Sequence, residues 1–153
     1  MTEVEEKQDW DEEMDIYYQK IEQYLQRKFF EKTDRKLCFL LGQYYNYLAR
    51  KEKSVLKTNS LYTKLPSYTR RLDREQIMKL IDKCNSVVKR LIAKNRSVSQ
   101  TASWLRQQLH ELFMEDKWES SFEELSLAFM MGFSVYLGDT EEKIERGDES
   151  GVE

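Results

Sequence analysis

The chain has 153 residues, 40% of them apolar and 35% charged, with one proline and five glycines. That is one domain with a real core and too few turn formers for a strand-rich fold. No run of about 18 apolar residues occurs, which excludes a membrane-spanning helix, and the acidic start lacks the basic-then-apolar order of a signal peptide. The formal net charge of −3 hides an asymmetry: residues 1–15 carry eight acidic side chains and one Lys, residues 139–153 carry seven acidic and two basic ones, and residues 16–138 are left at +9. The pattern predicts an all-α domain over 16–138. An acidic segment, 1–15, leads into its first helix, and the charged tail, 139–153, is expected to be disordered.

In chain order, Trp10, Met14, Tyr17, Ile21, Tyr24, Leu25 and Lys28 recur at spacings of three and four. This predicts a first helix from about Trp10 to Glu31. Thr33 or Asp34 is placed to cap a second helix, in which "LCFLLGQYYNYLA" is apolar nearly all round and so predicts the central, buried helix, ending near Arg50. Between Lys51 and Leu72 periodicity fails, and the segment holds the only proline, Pro66. It reads as a long ordered basic loop with at most a short helical turn.

"DREQ" at Asp73 is a capping box for a third helix that runs to about Asn95 and buries Ile77, Leu80, Ile81, Cys84, Val87, Val88, Leu91 and Ile92. Ser97 or Ser99 opens a fourth, burying Ala102, Leu105, Leu109, Leu112 and Phe113. "SSFEE" offers a second capping box, for a fifth helix that reaches Leu137, with Gly138 at its C-terminus. The expected architecture is therefore a bundle of about five helices with a long basic loop between the second and third.

Two glycines stand inside the most apolar helices, in "FLLG" ending at Gly42 and "FMMG" ending at Gly132. A helix-interior Gly costs about 0.5–1 kcal/mol relative to Ala. Close approach of the two helices would offset that cost.

The residues offer little for catalysis. His110 is the only histidine, and no glycine-rich phosphate loop or Glu-x-x-His pair occurs. Cys38 and Cys84 lie on apolar faces without metal-knuckle spacing, as expected of buried thiols in a reducing cytoplasm. The chain reads as a non-enzyme without cofactor or metal.

The centre carries the functional signal. From Arg27 to Arg96 there are 19 basic and six acidic residues. The loop supplies Arg50, Lys51, Lys53, Lys57, Lys64, Arg70 and Arg71 against Glu52 alone, and the third helix supplies Lys79, Lys83, Arg90 and Lys94 on one stripe. A merely solvated helix face interleaves signs to form i, i+4 pairs. A stripe of one sign suits phosphate contact by charge and reach. Asn59, Ser60, Tyr62 and Thr63 are candidate hydrogen-bond donors or stacking groups beside it.

Phe39 to Gly42, the stretch from Leu61 to Leu72 with its proline, and the closing helix from Glu123 to Gly138 together resemble the small subunit of type I CRISPR effector complexes (Cascade), the I-B form most closely, over about residues 33–138. That form corresponds to the C-terminal helical domain of the system's large subunit. The resemblance implies a non-catalytic subunit. It would lie beside backbone and large subunits, guide RNA and further copies of itself, helping to hold single-stranded target DNA, the displaced strand above all. Two other readings fit the residues: a helical adaptor whose basic face binds an acidic protein partner, and the small subunit of a type III complex.

Overall fold

The computed structural model describes residues 2–68, 71–94 and 99–135, with side chains from Met14 onward and Tyr68 excepted. Six α-helices account for most of them: α1 (Thr2–Leu25), α2 (Thr33–Lys51), α3 (Ser60–Tyr68), α4 (Arg74–Ala93), α5 (Gln100–Glu115) and α6 (Phe122–Ser134). No strand occurs among the described residues, and no helix there is long and apolar enough to cross a membrane.

α2 is the axis of the fold. Every residue from Leu37 to Ala49 is buried, as its all-round apolar character requires. α1 runs antiparallel to it, with Tyr24 stacked on Phe39 at 5.0 Å and the Tyr17 hydroxyl donating to Gln43 Oε1 at 3.0 Å. α6 runs parallel to α2, from the Arg35–Glu124 ion pair (2.7 Å) at one end to the bond from Asn46 Nδ2 to Phe133 O (2.7 Å) at the other. α4 also runs parallel to it, through Tyr44 to Asn85 (3.2 Å) and Glu52 to Arg90 (3.5 Å). α5 returns antiparallel: the Tyr47 hydroxyl accepts the N–H of Ser99 at its start (3.0 Å).

The repeated glycines sit where α2 and α6 touch. A Cβ on Gly42 would lie 2.5 Å from Phe133 N and 2.8 Å from Gly132 C; one on Gly132 would lie 2.8 Å from Phe39 C and closer still to its oxygen. Only hydrogen fits at either position. The two backbones therefore approach without intervening side chains, which offsets the cost of glycine in both helices.

α2 also holds the C-terminal end of α6 and the loop that leads into it. Gln43 Nε2 donates to Gly132 O (2.6 Å) and Val135 O (2.5 Å), and Asn46 covers Phe133 O, so carbonyls that a helix leaves without intrahelical partners have donors. At the other end, buried Asp34 accepts the N–H groups of Glu119 and Ser120 and the Ser120 hydroxyl, each at 2.8 Å. It does not cap its own helix: the N-cap of α2 is Lys32, without a side-chain bond. Ser121 and Glu124 then form the expected capping box of α6. Asp73 accepts from Gln76 N, and Ser99 from Ala102 N, as their positions predicted.

Three boundaries differ from the expectation, the first being the start of α1, which is helical from Thr2 rather than from about Trp10. α1 stops at Leu25, and a separate 3-10 turn, Lys28–Glu31, follows. Phe30 there leaves helical geometry and is wholly buried, 5.0 Å from the Phe39 ring, so burial of one aromatic outweighs helix continuation. α6 stops at Ser134; Leu137, Gly138 and the tail 139–153 lie outside the described residues. Ile92, expected in the core, is 58% exposed.

Candidate nucleic-acid interface

The supposed loop from Lys51 to Leu72 is largely helical. α2 runs into one π-helical turn, Glu52–Leu56, closed by Lys57 in the left-handed region (φ 58°). α3 follows at Ser60 with Pro66 inside it. Proline gives no N–H to the carbonyl four residues back, Tyr62. Tertiary contacts hold the helix instead: Leu61 is fully buried, its carbonyl accepts from the Tyr45 hydroxyl, and the Tyr62 ring meets Phe133 edge-on at 6.5 Å.

The node of this region is Glu52, which has no solvent exposure. Its carboxylate accepts from Thr58 Oγ1 (2.9 Å), Ser60 N (3.2 Å), Leu61 N (2.9 Å) and the Ser60 hydroxyl, and lies 3.5 Å from Arg90 Nη1. It thus caps α3 from across a turn. Burial alone would raise its pKa; the bonds from Ser60, Leu61 and Thr58 outweigh burial and hold the carboxyl below its ordinary value. Arg90 Nη2 also bonds Thr58 Oγ1 at 3.0 Å, which fastens the segment to α4.

The basic residues can now be placed. Lys79, Lys83 and Arg90 on α4 and Lys94 at its C-cap fall within about 60°, at about 100° per residue. The core face with Leu80, Cys84, Val87 and Leu91 borders this arc. The Arg90–Thr58 bond brings the turn bearing Lys53 and Lys57 against the same edge, beside α3 with Lys64. Lys53, Lys57, Lys64, Lys79, Arg90 and Lys94 are exposed and Lys83 is half-buried. Of these seven, only Lys79 (Glu75, 3.5 Å) and Arg90 have a carboxylate partner among the described residues.

Arg50 and Lys51 stand at the same end, half-buried. Arg50 Nε donates to Asn46 Oδ1 at 2.6 Å, and Lys51 lies 5.8 Å from the Tyr47 ring centre. Arg71 does not join them. Its guanidinium lies 4.5 Å over the Phe122 ring at the start of α6, the opposite end of the bundle. Arg70 lies outside the described residues.

The polar groups that the sequence offers to phosphate are largely engaged within the fold. Ser60 serves Glu52, Thr63 Oγ1 donates to Asn59 O (2.8 Å), and Tyr62 is half-buried. What the edge presents to solvent is therefore mainly charge.

On the other flank of α4, toward α5, Met78, Ile81, Val88, Leu109 and Phe113 line a groove of about 560 Å³ over Tyr44, rimmed by Asp82, Arg106 and His110. The sequence reading missed both this groove and Glu52. Cys38 and Cys84 are free and buried, and burial pushes both thiols well above their ordinary pKa. No cluster of His, Cys, Asp or Glu that could hold a metal occurs among the described residues.

Fold and edge together define an all-helical domain whose most distinctive exposed feature is a cationic strip. Residues 1–147 match the family model described as the C-terminal domain of the CRISPR-associated protein TM1802 (cas_TM1802), and the chain belongs to that family. It is thus related to CRISPR systems, as the resemblance implied. No curated protein and no solved structure matches it.

Proposed function

We propose that the chain is a non-catalytic small subunit of a CRISPR ribonucleoprotein surveillance complex, Cascade of type I-B, that grips nucleic-acid backbone and stabilises the assembly. The observation that carries this reading is the α3–α4 edge: Lys53, Lys57, Lys64, Lys83 and Lys94 present one sign of charge with no carboxylate paired to them in the described structure. Such a strip is matched by a phosphate chain, which needs no base readout to bind it. The family membership supports the CRISPR setting, and its definition on a C-terminal domain supports equivalence to the helical end of a larger subunit. In this reading target DNA, the displaced strand first, runs along α4, with guide RNA as a second polyanion. Backbone and large subunits and further copies of the chain are its protein partners. The buried thiols play no chemical part.

A gel-shift assay with single-stranded DNA and RNA at near-physiological salt tests the reading. Retarded bands that weaken with Lys→Glu changes on the edge support it. The apolar α4–α5 groove favours a second role, docking a protein partner. If no oligonucleotide binds, that role stands alone and the chain is an adaptor.

A further inference from the structure

α4 carries a further stripe that the fold leaves uncovered. Met78, Asp82, Asn85, Lys89 and Ile92 recur at spacings of four, three, four and three, the period of one helix face. They span about 21 Å at 1.5 Å per residue. Four of them are exposed and Asn85 is half-buried. Met78 and Ile92 are 41% and 58% exposed, although both are large and apolar. Behind the stripe, Ile81 and Val88 form the α4 wall of the groove. Outward from Asn85 the stripe has the same order both ways: a charge at three or four residues, then an apolar side chain at seven. The charge is acidic on one side and basic on the other. Neither is paired: among the described residues Asp82 has no cationic partner and Lys89 no carboxylate. About 10 Å of helix separates them, too far for them to pair with each other.

We propose that this stripe is the contact of a two-fold dimer, in which α4 packs antiparallel on α4 of a second copy. In such an isologous interface, residue i meets j and j meets i. With Asn85 at the axis, Met78 of each copy lies against Ile92 of the other, and Asp82 against Lys89. Both exposed apolar side chains are covered, and both charges gain an opposite partner. Parallel pairing would set acid against acid and base against base. A stripe that serves an unrelated helix has no reason to be complementary to itself. Asn85 Oδ1 already accepts from the Tyr44 hydroxyl (3.2 Å), and its amide N–H groups remain to donate to Asn85 of the second copy. A paired Asn in a helical seam fixes register and partner number at a cost in stability. One helix from each copy makes a small interface, below about 1,200 Å² in all, so association in the micromolar range is expected. The cationic edge lies about 130° around α4 from the stripe. It stays open in the pair, on the same side in both copies. The dimer thus goes beyond the function proposed above and does not rest on it.

Sedimentation equilibrium of the full chain over a range of concentrations tests the dimer. Expected is a monomer–dimer equilibrium that closes at two copies. Monomer alone up to roughly 1 mM, or assembly beyond the dimer, would overturn the proposal. Asp82→Lys and Lys89→Asp should each weaken dimerisation roughly tenfold at low salt. The double variant restores both pairs with their signs exchanged and should recover most of that loss. Dimerisation indifferent to the single changes, or no recovery in the double variant, would put the contact elsewhere and overturn the proposal. Under mild oxidation Asn85→Cys should give a disulfide-linked dimer, because a residue at the axis meets its own counterpart within disulfide reach. Ser86→Cys, exposed and about 100° away on the helix, should not. Cys38 and Cys84 are buried and stay out of the reaction. Equal linkage at the two positions would overturn the two-fold register.

Discussion

Gly42 and Gly132 face each other across the parallel α2–α6 contact, each filling a position where a Cβ would collide with backbone of the other helix. Gly42→Ala and Gly132→Ala should each destabilise the protein by about 1–3 kcal/mol, the usual range for overpacking. Because both changes separate the same pair of helices, the double variant should cost less than the two single effects added. Denaturant unfolding of the four proteins measures this; unchanged midpoints in both single variants would refute the close approach.

Asp34 ties the loop before α6 to the start of α2 through three 2.8 Å bonds. Asp34→Ala leaves the N–H groups of Glu119 and Ser120 without their acceptor. A loss of about 2–4 kcal/mol is expected, since charged hydrogen-bond partners are removed from a buried site. Amide exchange at residues 119 and 120 should rise well above that of α4.

Glu52 makes stability depend on pH with a definite sign. Its folded pKa is depressed, so the stabilisation is fully present above the unfolded value, about 4.3, and is lost as pH falls through the lower folded value. Glu52→Gln should lower neutral-pH stability by about 1–3 kcal/mol and flatten the acid limb of the stability curve. An acid limb identical to that of the parent protein would show that Glu52 is not the group responsible.

Lys57 offers a separation of charge from fold. It sits at φ 58°, a conformation that costs a non-glycine residue about 1–2 kcal/mol. Lys57→Gly removes one edge charge while relieving that strain, so stability should hold within about 1 kcal/mol as oligonucleotide affinity falls. Reduced stability together with unchanged affinity would contradict both assignments.

The core was legible because period and capping agreed. The apolar run around Gly42, the stripe from Ile77 to Leu91 and the caps at Asp73, Ser99 and Ser121 each said the same thing locally and globally. α3 was hidden because Pro66 and a polar composition argue against a helix, and what holds it is non-local: Glu52 at its start, Tyr45 and Phe133 alongside. Leu61 and Leu65 at i, i+4 after Ser60 were the available signal. Asp34 looked like a cap from its position, yet its partners lie more than 80 residues away. The α4 stripe was readable from spacing, whereas the separation of Arg71 from the other cations depends on where α6 begins, which no local pattern states.

The measurement that bears most directly on the central claim is the salt dependence of oligothymidylate binding. It compares the parent protein, Lys53→Glu/Lys57→Glu/Lys64→Glu/Lys94→Glu, and a control reversed at Arg71, Arg106 and Lys117. The slope of log K against log salt should fall by about 0.7 for each phosphate contact removed in the edge variant, with a large loss of affinity. The control should stay close to the parent. Equal losses in both variants, or full binding by the edge variant, would show that no phosphate path runs along α3 and α4.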